Sequence, residues 1–292
     1  MTENTSIEWT DHTFNPWIGC TRISPACDHC YAADIAKRFG HAKWGAGEER
    51  KVTSESNWKK PFTWQRKAKA FYAEQGRRQR VFCASMADVF DNEAPMETRE
   101  RLFKLIEETP DLDWLLLTKR IGNVSRMLEM MGRAELPRNV WLGITICNQD
   151  EANRDIVKLM KIPATVRFLS IEPMLGRVDL RRLAPDGITF TIDALTGKGE
   201  HLLGYTGIIG KIHWVIAGGE SGAKARTTHP SWIIGLRDQC EAAGTPFLFK
   251  QWGEFRPVDA DSVLHTGIEY KRMGKSKAGR RLHGRTHDEF PA

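Results

Sequence analysis

The sequence predicts an α/β protein: a partial (β/α) TIM-type barrel of six or seven parallel strands, with a small insertion and a basic C-terminal tail. Three observations point there. Short apolar runs alternate with amphipathic stretches, the rhythm of βαβ units. Most of the runs are continuously apolar, as strands buried on both faces of a parallel sheet must be. And 292 residues is a length that a single barrel scaffold reaches.

The runs are "RVFCASMADVF" (80–90), "DWLLLTKR" (113–120), "VWLGITI" (140–146), "VRFLSIEPML" (166–175), "HWVIAGGESG" (213–222) and "PFLFKQWGE" (246–254). Helical patterns lie around and between them. "CYAADIAKRFG" (30–40) precedes the first run. "PMETRERLFKLIEETP" (95–110) puts Leu102, Phe103 and Ile106 on one face, and Pro110 ends it. "GNVSRMLEMMG" (122–132) and "NQDEANRDIVKLMKIP" (148–163) follow. "HPSWIIGLRDQCEAAG" (229–244) has Pro230 early, Ser231 close by and Gly244 as a stop. The stretch 176–212 breaks the rhythm and reads as an insertion, with "ITFTIDALTG" as a small hairpin. The organisation expected is a barrel over 1–254 carrying that insertion, and an extension over 255–292 packed on the barrel.

Composition narrows the function classes. Apolar residues make up 41%, ample for a core. No apolar run approaches the ~18 residues of a membrane span, and the first residues lack a basic stretch followed by an apolar one, so no signal peptide is expected. A cytoplasmic protein without membrane association follows as the expectation. Net charge is +6, unevenly placed. Residues 59–80 hold eight basic side chains against Glu74 alone, and 271–285 hold seven with no acid. Such patches suit a polyanion, DNA or RNA; the plain alternative is a solvated helix face and a frayed tail. Trp64 lies in the first patch and Trp58 directly before it, where a base could stack on them.

Three of the six cysteines sit in eleven residues, Cys20, Cys27 and Cys30 of "NPWIGCTRISPACDHCYA". Reducing cytoplasm disfavours disulfides. Thiolates are soft ligands that suit zinc or iron–sulfur. A structural zinc needs four ligands, which His29 or His12 would have to complete. A cubane on three thiols leaves one iron open. Trp9 and Trp17 flank the loop and are expected to shield it from water.

In an α/β barrel the chemistry sits at the C-terminal ends of the strands. Each run ends in polar residues: Ser85 and Asp88, Lys119 and Arg120, Asn148 and Gln149, Glu172, Glu220 and Ser221, Lys250 and Gln251. Together they read as a functional rim. Lys119, Glu172 and Lys250 are the candidate catalytic residues. Lys119, Arg120 and Lys250 suit a carboxylate or phosphate, or else one or two of them pair with Glu172 or Glu220. In "AGGESG", Gly218 and Gly219 permit close backbone approach and an anion-binding nest of N–H groups; a tight turn is the alternative. Asp88 suits a ribose hydroxyl or a helix cap.

The cysteine loop followed by a helix resembles a widened form of the radical S-adenosylmethionine (SAM) cluster loop, whose common spacing is C-x3-C-x2-C. His29 stands where that loop carries an aromatic, and Tyr31 follows. Across nearly the whole chain, "NPWIGCTRISPACDHCYA", "SMADVFD", "LLLTKR", "WLGITICNQ", "SIEPMLG", "WVIAGGESG", "FKQWGE" and "GRRLHGRTHDEFP" resemble the three-Cys-motif phage proteins, a family of unknown function that is similar to spore photoproduct lyase-like radical SAM proteins. The resemblance implies a [4Fe–4S] cluster on Cys20, Cys27 and Cys30. It implies SAM as cofactor, bound through His29, Tyr31, Ser85, Asp88, Gly218, Gly219, Glu220 and Ser221, with Glu220 toward the SAM amino group. It implies cleavage of SAM to a 5′-deoxyadenosyl radical, an electron donor such as flavodoxin or ferredoxin, and a phage- or prophage-encoded protein in the host cytoplasm. A nucleic-acid base is the substrate expected. A zinc-stapled, non-enzymatic nucleic-acid-binding protein, an iron–sulfur SAM protein with non-radical chemistry, and a peptide substrate are the alternatives.

Overall fold

Each long apolar run forms a strand, and the helical patterns at 30–40, 95–110, 122–132, 148–163 and 229–244 each form a helix; the 16-residue helix Lys60–Gln75, in the first basic stretch, is not among those patterns. The computed structural model describes residues 5, 7–185, 187, 189–201, 203–204, 206–258 and 267–291. The chain divides into two units, one of residues 1–143 with 163–165, the other of 144–162 with 166–292.

In the first unit, β1 (His12–Thr13) and β2 (Trp17–Ile18) precede the cysteine loop, α1 (Tyr31–Phe39) leaves it, and β3 (Lys51–Val52) closes it by pairing with β2. Then come α2 (Glu55–Trp58), α3 (Lys60–Gln75), β4 (Gln79–Cys83), α4 (Met96–Glu108), β5 (Leu112–Thr118), α5 (Val124–Met130) and β6 (Val140–Thr145), the last being where the units divide. β4 and β6 are buried at every position. β4 pairs in parallel with β1 on one side and β5 on the other. The two-residue β1 has no apolar run, so periodicity does not announce it. α4 buries Leu102, Phe103, Leu105 and Ile106, and Thr109 stops it by turning its hydroxyl back to the Leu105 carbonyl at 2.7 Å.

In the second unit, α6 (Gln149–Met160) starts on Asn148, whose side chain accepts from the Glu151 amide at 3.0 Å. β7 (Val166–Ile171) follows, then the insertion: β8 (Phe190–Asp193), β9 (Lys198–His201) and β10 (Thr206–Ile208), an antiparallel sheet of three strands where the sequence suggested a hairpin. β11 (Trp214–Gly218), α7 (Pro230–Ala243) and β12 (Phe247–Gln251) complete the pattern. β11 lies in parallel between β7 and β12. β13 (Phe255–Pro257), β14 (Tyr270–Arg272) and α8 (Lys275–Ala278) make the extension. Its end lies along β12: the Phe249 amide donates to the His287 carbonyl at 3.0 Å, and Trp214 Nε1 to the Glu289 carbonyl at 2.9 Å.

The main sheet has seven strands in the order β1-β4-β5-β6-β7-β11-β12. This is the predicted class, an α/β parallel sheet flanked by helices and consistent with a partial TIM-type barrel. Among the described residues no helix is long and apolar enough to cross a membrane.

His213 and His287, both in the second unit, have pKa values below the ordinary histidine value. Burial is the main cause, and nearby cations add to it: Arg167 and Lys211 for one, Arg285 and Arg237 for the other. The fold therefore favours neutral rings, and His213 Nδ1 accepts from the Arg167 amide at 2.9 Å. A lowered folded pKa gives stability that is present above the unfolded value and lost as pH falls. Thermal unfolding should thus move to lower temperature as pH drops below ~6.5, and His213→Gln, which cannot titrate, should flatten that dependence in a pH series of melts.

Candidate functional site

The cysteine loop is tied at both ends. Gly19 has φ +124, and a Cβ there would meet the Glu49 carbonyl at 3.3 Å and Arg50 at 3.2 Å, so glycine is required. Cys20 follows it, and its carbonyl accepts from Gly45 at 3.0 Å. Cys27 closes a short 3-10 turn begun by Pro25 and capped by Ser24. Cys30 stands at the N-cap of α1, which ends on Gly40 in the left-handed region. All three thiols are free and half-buried, whereas Cys83, Cys147 and Cys240 are fully buried. Burial also pushes the Cys83 and Cys240 thiols far up. The six cysteines thus sort into a reachable loop set and an inert core set.

Under the loop lies a network of buried ions. The Asp88 carboxylate accepts from four donors: the Phe90 amide (3.0 Å), the Thr118 hydroxyl (2.7 Å), the Lys119 amide (3.0 Å) and Arg120 Nη1 (3.1 Å). Asp88 is therefore directed inward, and its role is closer to the turn cap than to a ribose contact. Arg120 Nη1 also lies 3.4 Å from Cys20 Sγ, and Nη2 donates to the Thr21 carbonyl at 2.8 Å. Arg50, whose side chain is wholly buried, binds Asp91 at 2.8 Å, the Gly45 and Glu48 carbonyls, the Thr21 hydroxyl and Glu93. Arg99 reaches the Val89 and Asp91 carbonyls at 2.9 and 2.5 Å. Burial pushes the Cys20 thiol up to about 11, with Asp88 adding to the rise and Arg120 opposing it. Burial opposes the Arg120 charge too, but Asp88, Cys20 and Asp91 outweigh it and raise its pKa.

Ser85 and Tyr31 join this cluster. The Tyr31 hydroxyl donates to the Ser85 carbonyl at 2.9 Å, and Asn15 Nδ2 donates to the Ser85 hydroxyl at 3.0 Å. His29 sits between Cys27 and Cys30 on the half-buried part of the loop. Lys119 is half-buried at the end of β5, and its ammonium makes no ion pair among the described residues.

Several expectations need correction here. His12 does not face the thiols: it is stacked on Trp64 at 4.2 Å with Nε2 2.7 Å from Gln79 Oε1, which removes it as a zinc ligand. Trp58 and Trp64 are 3% exposed, the first under the Arg101 guanidinium, so neither can stack on a base. Trp9 and Trp17 are core residues. Of the eight basic residues in 59–80, Arg77 pairs with Asp11, Arg78 with Asp113, and Arg80 is buried against Trp141. The exposed charge is confined to α3 and its cap. Among the described residues no three His, Cys, Asp or Glu side chains converge closely enough to hold a metal ion as they stand.

The second unit makes its own cluster from β7, β11 and β12. Lys250 Nζ lies 2.6 Å from Glu172 Oε2, and the Ser170 hydroxyl reaches Glu172 Oε1 at 3.4 Å. A Cβ on Gly218 would sit 3.4 Å from Glu172 Oε2. Gly219 has a stricter reason: its Cβ would fall 1.9 Å from the Trp252 carbonyl oxygen, and one on Gly253 2.1 Å from that of Glu220. The two segments run backbone to backbone. The Gly219 amide donates to the Gln251 carbonyl at 2.9 Å, so it does not serve an anion nest. Glu220, 6% exposed, is held by Arg226 through its amide (2.7 Å), Nε (2.9 Å) and Nη2 (2.7 Å). Ser221 accepts from Gln251 Nε2 at 3.4 Å.

The sequence reading missed Asn15, Arg50, Asp91, Arg99 and Arg226. Asn15 begins "NPWIGC" and Asp91 ends "SMADVFD", the local signal for each. The arginines pair with acids or carbonyls in other segments and leave no local pattern.

Fold and site together define an α/β parallel-sheet protein with a three-thiol loop backed by buried ions. The chain belongs to the DUF5131 family, described as a protein of unknown function, whose model matches residues 4–291. No curated protein and no solved structure matches it significantly.

Two outcomes follow. Native alkylation read by mass spectrometry should modify Cys27 and Cys30 readily and Cys20 more slowly, because burial pushes its thiol up to about 11, and should leave Cys83, Cys147 and Cys240 intact until denaturant is added. Gly219→Ala should lower stability by about 1–3 kcal/mol in denaturant melts, because backbone must move to admit the methyl group.

Proposed function

We propose that this protein is a radical SAM-type enzyme of the three-Cys-motif phage kind, acting on nucleic-acid bases in modification or repair. The observation that carries the reading is the sorting of the thiols: three free and reachable on one loop, three sealed in the core. Three thiolates are one ligand short of a closed tetrahedral site, and their softness fits iron–sulfur. Because the three do not yet converge, the loop must draw them together around the cluster. A [4Fe–4S] cluster held in this way would supply the open iron at which SAM is bound and cleaved to a 5′-deoxyadenosyl radical, with an electron from a flavodoxin- or ferredoxin-like donor.

The chain's own residues have definable parts. Cys20, Cys27 and Cys30 are the ligands. Asp88 holds the end of β5 and the 88–91 turn in register beneath Cys20. Ser85 and Tyr31 brace α1 against the end of β4. Lys119 supplies a cation for a carboxylate or phosphate. Glu172 and Lys250, already sharing a proton-transfer distance of 2.6 Å, are the acid–base pair for the substrate. Nucleic acid suits the exposed side of α3, where Lys59, Phe62, Arg66 and Lys69 recur at the spacing of one helix stripe.

The test is anaerobic reconstitution followed by metal analysis and incubation with SAM and dithionite. About four irons per chain and release of 5′-deoxyadenosine are expected, with each of Cys20→Ala, Cys27→Ala and Cys30→Ala abolishing both. One tetrahedral zinc and no SAM binding would instead establish a stapled binding protein. DNA and RNA affinity should fall steeply with salt, and the triple variant Lys59→Glu, Arg66→Glu, Lys69→Glu should weaken it roughly tenfold or more. Salt-independent binding would remove the nucleic-acid part.

A further inference from the structure

Two aromatic rings of α3 face solvent among cations. The buried side of this helix is Pro61, Trp64 and Ala68. Away from it, Phe62, Arg66, Lys69 and Tyr72 follow one another at steps of four, three and three residues, the spacing of helical neighbours. Lys59, at the cap, extends the stripe by another step of three. Phe62 is 36% exposed and Tyr72 57%. Among the described residues neither ring stacks on another ring or lies under a guanidinium, whereas the adjacent Phe71 is covered by Arg77 at 5.0 Å. The cations are equally uncommitted. Among the described residues Lys59, Arg66 and Lys69 enter no ion pair, and Arg66 Nη2 donates to the neutral Thr63 hydroxyl at 2.9 Å. Nearby acids are held by other partners: Glu55 by Arg101, and Asp111 by Gln65 at 2.6 Å. Glu74, the one acid of α3, lies beyond the stripe.

We propose that this stripe is a track for single-stranded nucleic acid, with unpaired bases stacked on Phe62 and Tyr72 and phosphates on Lys59, Arg66 and Lys69. The proposal rests on the nucleic-acid reading above and narrows its substrate to an unpaired strand. Charge selects the class of partner. Three cations without counter-ions suit a polyanion, whereas an apolar partner would bury them at a cost. The rings select the strand. A ring with an open face can stack on any base, but only on one whose own face is open. Inside a duplex each base is covered by its neighbours, so the rings would meet only backbone. Ten residues of helix rise about 15 Å, the length of roughly four stacked base steps. Phe62 and Tyr72 therefore engage two separate bases, and Arg66 and Lys69 lie along the strand between them. The stacking surface expected of Trp58 and Trp64 passes to the solvent side of the same segment.

The experiment measures fluorescence anisotropy of the full chain with a labelled oligothymidine of about sixteen nucleotides and with its duplex on oligodeoxyadenosine, each over a salt series. The single strand should bind more tightly than the duplex at equal salt. Cations alone would give the reverse order, because duplex phosphates are denser. Phe62→Ala and Tyr72→Ala should each weaken single-strand binding about fivefold or more, with duplex affinity and the salt slope unchanged, since no charge is removed. Phe62→Trp should keep single-strand affinity, and Phe62→Leu should lose it as Phe62→Ala does. Lys59→Gln and Arg66→Gln should instead each reduce the salt slope by about 0.7. Both ring positions face solvent and alanine is a strong helix former, so melts of the variants should coincide with wild type. If a ring variant does not fold, the other variant and the wild-type order of single strand over duplex decide. Duplex binding as tight as single-strand binding, or ring variants that bind like wild type, overturn the proposal while leaving the nucleic-acid reading in place. A wild-type chain that binds neither probe overturns that reading and this proposal with it.

Discussion

The Asp88 carboxylate is the constraint on which the first unit's candidate site depends. Its four donors come from its own turn, from the last residue of β5 and from the two residues beyond. A buried carboxylate is tolerated only when hydrogen-bonded and charge-balanced, and this one is both. Satisfying it fixes where β5 ends and where Arg120 points. Arg120 then reaches the loop at Cys20 and Thr21, and Arg50 repeats the device with Asp91 and the same Thr21. The loop carries little apolar surface of its own, so ion pairs buried beneath it substitute for a hydrophobic anchor.

The second unit positions its residues differently. There the determinant is steric. Gly219 and Gly253 let two chain segments touch at distances no side chain permits, and the polar groups around them are aligned by that approach. Glu220 is consumed by Arg226, while Glu172 and Lys250 meet at 2.6 Å and keep partial exposure. Groups that are fully satisfied serve the scaffold, and those left with spare hydrogen-bonding capacity are the ones free for chemistry.

The elements were legible because burial on both faces writes itself as continuous apolar runs: "LLLT" in β5 and "VWLGIT" in β6 admit no other reading of their surroundings. β1 was not legible, since two residues hold no period. The cysteines, the glycine pair and the polar strand ends were found because residue type alone marks them. What could not be read was direction. Asp88 and Glu220 sit in motifs that suggested ligand contacts, yet each is turned toward an arginine far away in sequence or hidden in a loop. Trp58 and Trp64 illustrate the same limit: in a basic stretch both rings look like a stacking platform until the fold buries them. Local sequence encodes which groups are present, and pairing across 30 to 100 residues decides which of them face a ligand.

The way residues 287–289 lie along β12 has a bearing on biosynthesis. β12 is the last strand of its sheet, and an uncovered strand edge is a template for pairing with another chain. Its cover comes from an antiparallel bridge between Leu248 and Asp288 and from the hydrogen bonds on either side. Synthesis runs from the N-terminus, so the sheet is complete some forty residues before its edge can be closed. During that interval the nascent chain carries a finished but sticky border. The basic residues of the extension, emerging just then, would keep neighbouring nascent copies apart by repulsion.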